Sequence, residues 1–412
     1  MAKVTWRLLP LMALMFLVNQ LDRVNVSFAA LTMNRDLDLD ALAYAWGAGI
    51  FFIAYFVFEV PSNLVMERVG ARLWIGRIMI SWGLITGATA LATGPFSFVV
   101  ARFLLGAAEA GFVPGLLLYI TYWFPPRYRA GATAVLFFFA PMGNAVAGLM
   151  SVPLLSLNGF GLKGWQWMFI AEAVPALVLG LYILVRLCDR PRQARWLNED
   201  EKNWLEAQLE SGHQHAALGE QIRALFDRRV GLLSAIYFCR TMAMYGVSLF
   251  LPLILAGAGL SNSQVGFAAA IPFAVAGIGA VIWGWHSDRR DERHWHTLTA
   301  MLLAAAGLAA APLLGPSFWS LAALSAAAVG LYAQAVCFWS LPPMMLKTGM
   351  AAAAIAAINA TGNLGGFLGP YLVGATVQGG TDYSSGLYLM AGCALLSAAL
   401  SFILMRLKWE RA

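Results

Sequence analysis

The sequence predicts an all-α integral membrane protein with twelve transmembrane helices in two pseudo-symmetric six-helix bundles. Three observations carry this. The 412 residues are 60% hydrophobic and only 12% charged, whereas soluble domains carry about 25% charged residues. Twelve apolar segments are long enough to cross a hydrocarbon core, which takes about 20 residues. Two pairs of motifs recur in the same order at nearly the same offset, the mark of a duplicated unit.

The predicted spans are 8–29, 44–66, 73–93, 96–119, 130–155, 166–187, 230–256, 264–285, 297–315, 318–342, 350–376 and 385–406. Lys3 and Arg7 before an apolar run imitate a signal peptide. The run continues past any plausible cleavage point into Asp22-Arg23, so it reads as a retained first helix. Residues 1–187 form the first bundle and 230–412 the second. Between them, 188–229 form a polar central loop, in which Asn198 and Glu201 have capping-box spacing ahead of "NWLEAQL" and predict a short surface helix.

An even number of spans places both termini on one side. Lysines and arginines crowd into or beside the termini and the loops after spans 2, 4, 6, 8 and 10, while only Arg35 and Lys163 fall in the opposite loops. By the positive-inside rule the termini and central loop are cytoplasmic, in a multi-pass membrane protein. The net charge of +6 is therefore an orientation signal. The partner it implies is a lipid bilayer, with no nucleic acid. The 40 glycines suit close helix packing and the 15 tryptophans suit interfacial belts.

Several chemistries are excluded by motif. There is no C-x-x-C pair, and the histidines lie in two polar segments, so neither disulfides nor a metal site is expected. No G-x-x-x-x-G-K-[ST], His-Glu zinc motif or G-x-S-x-G elbow occurs, so neither ATP drive nor an enzyme or cofactor is indicated.

The repeats are "SNLVMERVGARLW" after span 2 against "GWHSDRRDERHW" after span 8, and "MGNAVAGLMSVPLL" in span 5 against "TGNLGGFLGPYLV" in span 11. They align Glu67-Arg68 with Asp288-Arg289 and Gly143-Asn144 with Gly362-Asn363. A duplicated unit with a site between its halves is a common plan for secondary transporters.

Charges inside spans cost roughly 2.5–3.5 kcal/mol each on insertion scales and persist for a use. The first half holds Asp22, Glu59, Glu109 and Glu172 inside spans, and the second half holds no carboxylate there. Any proton coupling by carboxylates therefore belongs to the first half. Asp22 and Arg102 can share one level, roughly 10 Å below the outer surface at 1.5 Å per residue. Glu109, seven residues beyond Arg102, lies on the same helix face and deeper.

These segments resemble the major facilitator superfamily, whose loop signature G-x-x-x-D-R-x-G-R-R is kept at Gly284, Asp288 and Arg289. The first copy departs, with Asn63 for the glycine and Glu67 for the aspartate. More narrowly, "LDRVNVSFAALTMNRDL", "FEVPSNLVMERVGARLW", "RFLLGAAEAGFVPG", "YWFPPRYRA" and "GWQWMFIAEAVPA" resemble the anion:cation symporter family, with its tartrate, phthalate, galactonate and hydroxyphenylacetate permeases. The resemblance implies a monomeric symporter importing a small organic anion with protons by alternating access. It also implies that Asp22, Arg23, Arg102 and Glu109 converge on a central cavity.

On that reading Arg23 binds a substrate carboxylate bidentately, Asp22 and Glu109 exchange protons, and Arg102 stabilises one ionised acid at a time. Arg240, inside span 7, has no carboxylate in its half and is either a second anion contact or a snorkelling arginine. Further pocket candidates are Gln20, Tyr55, Asn144, Tyr245, Gln334, Trp339, Asn359 and Asn363; Gln20 stands where relatives carry tyrosine. Glu59, Glu67, Arg68, Arg72, Asp288 and Arg289 read as gating residues at the cytoplasmic end, and Glu172 as structural. The rivals are an organic-anion uniporter or exchanger, which needs no titrating acid, and a transporter-fold membrane sensor. The central loop of roughly 40 residues is too short to be an effector domain for such a sensor.

Overall fold

The computed structural model describes residues 1–210, 226–346, 348–377 and 382–407, without the side chains of 210 and 348–353. The first half comprises α1 (Ala2–Asp36), α2 (Ala41–Val69), α3 (Ala71–Thr89), α4 (Pro95–Glu109), α5 (Phe112–Trp123), α6 (Pro126–Leu155) and α7 (Gly164–Arg186). A surface helix α8 (Glu199–Glu210) follows. The second half comprises α9 (Arg228–Gly257), α10 (Asn262–Arg290), α11 (His294–Leu313), α12 (Phe318–Phe338), α13 (Leu341–Met345), α14 (Thr348–Thr376) and α15 (Ser384–Arg406). Taking α4–α5 and α12–α13 each as one broken crossing gives twelve. Ten of the described crossings are long and apolar enough to span a membrane, and α3 and α14 complete the set.

Helix ends are fixed by local chemistry. The Asp40 carboxylate accepts the Ala43 N–H at 2.6 Å to start α2, and Ser317 Oγ accepts that of Ser320 at 3.2 Å to start α12. The N-terminus of α3 is capped from a distance: Asp189, just past α7, accepts the Arg72 N–H at 2.8 Å. At α8, Glu201 N–H donates to Asn198 Oδ1 at 2.8 Å and Asn198 N–H donates to Glu201 Oε2 at 3.0 Å.

Two spans expected to be continuous are broken. Span 4 turns at Ala110 (φ −53°, ψ 133°) and Gly111 (φ 84°, ψ −1°), the dihedrals of a type II turn. Gly111 is required twice over, because a Cβ there would also meet Ser62 Oγ at 2.4 Å. Span 10 breaks after Phe338, and Pro342 and Pro343 open the short α13, where their missing N–H groups cost nothing.

Within the halves, α3 packs on α7, α11 on α12 and α15, and α9 on α14. Between them, α1 meets α9, α2 meets α14 and α6 meets α10. On the face away from α8 the contact is close and made by small residues. A Cβ on Gly148 would meet the Gly266 carbonyl at 2.7 Å, and one on Gly266 would meet the Gly148 carbonyl at 2.6 Å. There too Tyr44 donates to the Leu249 carbonyl at 2.8 Å. The halves are in direct contact on that face.

Candidate functional site

Asp22 and Arg23 are sequence neighbours on α1, but their side chains serve different partners. Arg23 Nε donates to Glu109 Oε1 at 2.6 Å, and its Nη1 donates to the Tyr245 hydroxyl on α9 at 3.3 Å. Its guanidinium also lies over the rings of Tyr55 (4.8 Å) and Phe51 (5.6 Å), both on α2. The Arg23 side chain is 9% exposed and that of Glu109 fully buried. Arg23 therefore stands where the halves meet, held by an acid of its own half and a phenol of the other. The type II turn after Glu109 ends α4 at that acid, so its carboxylate is presented at a helix terminus.

Asp22 has no arginine partner within ion-pair distance among the described residues. Its Oδ1 accepts from Thr86 Oγ1 at 2.7 Å and from Asn25 Nδ2 at 3.2 Å, and its Oδ2 is buried without a partner. Arg102, 1% exposed, packs its guanidinium over Phe51 at 5.0 Å and leaves Nε and Nη1 without acceptors. It lies within electrostatic reach of both Asp22 and Glu109. The arrangement is one closed ion pair, one hydroxyl-bound acid and one buried cation between them. Thr86 was not among the sequence candidates, because nothing in "GLITGATA" distinguishes its hydroxyl from those that bond their own helix.

Across the junction, Asn144 Nδ2 on α6 donates to the Tyr332 hydroxyl on α12 at 2.8 Å. Arg240 Nε donates to the Leu331 carbonyl at 3.0 Å, with Tyr237 beneath the guanidinium at 5.6 Å. Tyr237 in turn meets Trp339 edge-on at 4.8 Å, and Tyr245 packs on Phe52 at 4.3 Å. Gln334 is fully buried with both amide atoms unpartnered, and Gln20 is buried against Gly143. Asn359 and Asn363 are engaged elsewhere: their Nδ2 groups donate to Glu59 Oε1 (2.7 Å) and Oε2 (2.8 Å), tying α2 to α14.

The loop residues are more exposed. Glu67 and Arg68 are exposed at the end of α2, and Arg72 reaches the Leu184 carbonyl at 3.5 Å. Asp288 pairs with Arg293 at 2.5 Å, and Arg289 lies over Trp285 at 5.4 Å.

The profile described as Major Facilitator Superfamily matches residues 12–370 and, in a second match, 233–409. The chain is 46% identical over 407 residues to a "Putative tartrate transporter" of Agrobacterium vitis, covering 98% of this chain and 91% of that protein. It is 39% identical to a "Quinolone resistance transporter" of Acinetobacter baumannii, covering 97% and 93%. Its fold is similar to that of a bacterial homologue of the human lysosomal transporter Spinster, with TM-score 0.77 at 19% identity, covering 98% and 97%. A duplicated bundle of helices with buried charges at its junction thus coincides with a family match across nearly the whole length. The chain belongs to the Major Facilitator Superfamily and is a multi-pass membrane transporter.

Proposed function

We propose that the chain is a proton-coupled symporter, acting as a monomer, that imports a small organic anion across the inner membrane by alternating access. The observation that carries this reading is the buried Arg23–Glu109 pair, 2.6 Å long, with Tyr245 of the other half on the same guanidinium. A substrate carboxylate needs the donors that Glu109 now occupies. Once displaced, Glu109 is a buried carboxylate that has lost its ion-pair partner, a state that costs several kcal/mol. A proton removes that cost, so anion binding and proton uptake become one event. Asp22, under Thr86 and near Arg102, is the second acid that can lose or gain a proton as Arg102 swings toward or away from it.

The two relatives named "Putative tartrate transporter", 46% and 45% identical, favour a hydroxylated dicarboxylate. Arg240 supports the same choice, because its Nε bond to Leu331 leaves its terminal nitrogens for a second carboxylate reaching across from Arg23. Tyr237 and Tyr332 stand near Arg240 to receive hydroxyl groups.

The test is uptake of labelled tartrate into proteoliposomes, with internal pH followed by a trapped dye. Symport predicts tartrate-dependent acidification that Asp22→Asn and Glu109→Gln abolish. Exchange of tartrate without a proton signal, retained in both variants, would instead establish an exchanger or uniporter.

A further inference from the structure

Arg102 and Arg240 are buried inside the bundle, whereas Arg77, also within a crossing, is partly exposed on its outer face. It stands six residues after the first residue of α3, roughly 9 Å along the axis at 1.5 Å per residue. That end of α3 lies on the side of α8, since the Arg72 N–H is bonded to Asp189 of the segment leading to α8. Around the helix, Gly76 and Gly83 pack against Leu184 and Leu177 of α7. Arg77 falls outside that face, between the exposed Leu73 and Leu84, which lie one turn before it and two turns after it on the same side. Charges within spans normally face the bundle interior and pair there, so an arginine on the outer face needs a partner.

The protein supplies none. No carboxylate acts on the charge of Arg77 among the described residues. Its Nε is buried without an acceptor, and its Nη1 reaches only Ser81 Oγ, at 3.4 Å. Its closest partner is the Trp74 ring, whose centroid is 4.0 Å from the guanidinium carbon, and Trp74 is itself fixed by donating Nε1–H to Ser62 Oγ of α2 at 2.9 Å. Arg129, by contrast, spends its guanidinium on the Phe124 and Thr121 carbonyls at 2.9 and 3.3 Å. Arg77 is thus a positioned cation without a counter-charge, on a surface that otherwise suits hydrocarbon. We infer that Arg77 and Trp74 form a headgroup site for an anionic phospholipid of the leaflet on the α8 side. The phosphate accepts from the guanidinium N–H groups that no protein acceptor reaches, in the planar fork that arginine offers to phosphate. Trp74 stands one turn nearer the helix end, at the level where tryptophans line a membrane interface, and Leu84 lies deeper beside the acyl chains. A free phosphate ion offers the same oxygens, but the exposed leucines flanking Arg77 commit the site to lipid. The inference stands apart from the substrate and the coupling ion.

The test is native mass spectrometry of delipidated protein titrated with phosphatidylglycerol or phosphatidylcholine. The wild type is expected to prefer phosphatidylglycerol. Arg77→Gln is expected to lose about fivefold in affinity for the tightest-bound phosphatidylglycerol, the worth of one basic residue at an anionic membrane surface. Arg77→Lys keeps the charge and retains part of the preference. Arg127→Gln, which removes an exposed charge at the start of α6, is expected to bind like the wild type. Equal binding by the wild type and Arg77→Gln overturns the assignment, and so do equal losses in Arg77→Gln and Arg127→Gln. Inorganic phosphate that raises the Tm of the wild type but not of Arg77→Gln, with no preference between the two lipids, assigns a free anion and overturns it too. A photo-activatable phosphatidylglycerol tests the wild type without any substitution. Labelling of the α3 peptide around Trp74 and Arg77 supports the site, and labelling confined to other helices contradicts it.

Discussion

Arg23 is the residue on which the account turns, because its guanidinium already holds an acid, a phenol and two aromatic faces. Lysine keeps the charge and loses the fork, so Arg23→Lys is expected to weaken tartrate binding by about 10- to 100-fold, the worth of a charge-assisted bond of about 1.5–3 kcal/mol. Isothermal titration against purified protein checks this. Glu109→Gln removes the charged competitor for Arg23 and is expected to bind tartrate more tightly than the wild type. The charged residues themselves were legible in the sequence, since charges inside apolar spans stand out at once. Their pairing was not. Spacing along single helices sets Arg102 above Glu109, but the turn at Ala110–Gly111 and the length of the Arg23 side chain decide which cation the acid meets.

At the scale of the element, the break in span 4 is what positions Glu109. Gly111→Ala places a Cβ at positive φ and 2.4 Å from Ser62 Oγ, and the expected cost is about 1–3 kcal/mol, seen as a lower Tm in detergent. The sequence carried the signal for this turn in "EAGFVPG", which a reading by hydropathy alone runs straight through. A second element-level device lies outside the membrane. Glu292 accepts the Trp295 N–H at 2.7 Å and the His296 N–H at 3.2 Å, and so caps the start of α11. Partial burial works against its charge, but these donors and the His296 ring hold its carboxyl below the usual glutamate range. A depressed acid contributes stability above its unfolded value, about 4.3, and loses that contribution as pH falls through its folded value. Glu292→Ala should therefore lower Tm at neutral pH, by about 1 kcal/mol of cap energy, and make little difference well below pH 4.3.

At the scale of the molecule, the twelve crossings and the two-half plan were legible from hydropathy and repeats, because lipid forces the backbone of each crossing to satisfy itself as helix. What periodicity could not give is the docking of one half on the other, which depends on shapes rather than on pattern. Gly148 against Gly266 on one face, and Glu59 with Asn359 and Asn363 nearer the other, are the contacts that rocking must break or keep. Gly148→Leu is expected to prevent closure on the glycine face, to stop tartrate turnover, and to raise alkylation of a cysteine placed at Ala45 by a membrane-impermeant maleimide. Unchanged turnover in that variant would show that the seal is not part of the cycle.

All three scales meet in the proposal that a substrate anion replaces Glu109 on Arg23 and that a proton makes the replacement possible. The measurement to make is the proton taken up when tartrate binds to purified protein in weakly buffered solution, read with a pH indicator and compared with Glu109→Gln. The account predicts tartrate-dependent alkalinisation of the medium by the wild type and a loss of one proton per bound tartrate in the variant. Tartrate binding with equal proton uptake in both proteins would contradict it.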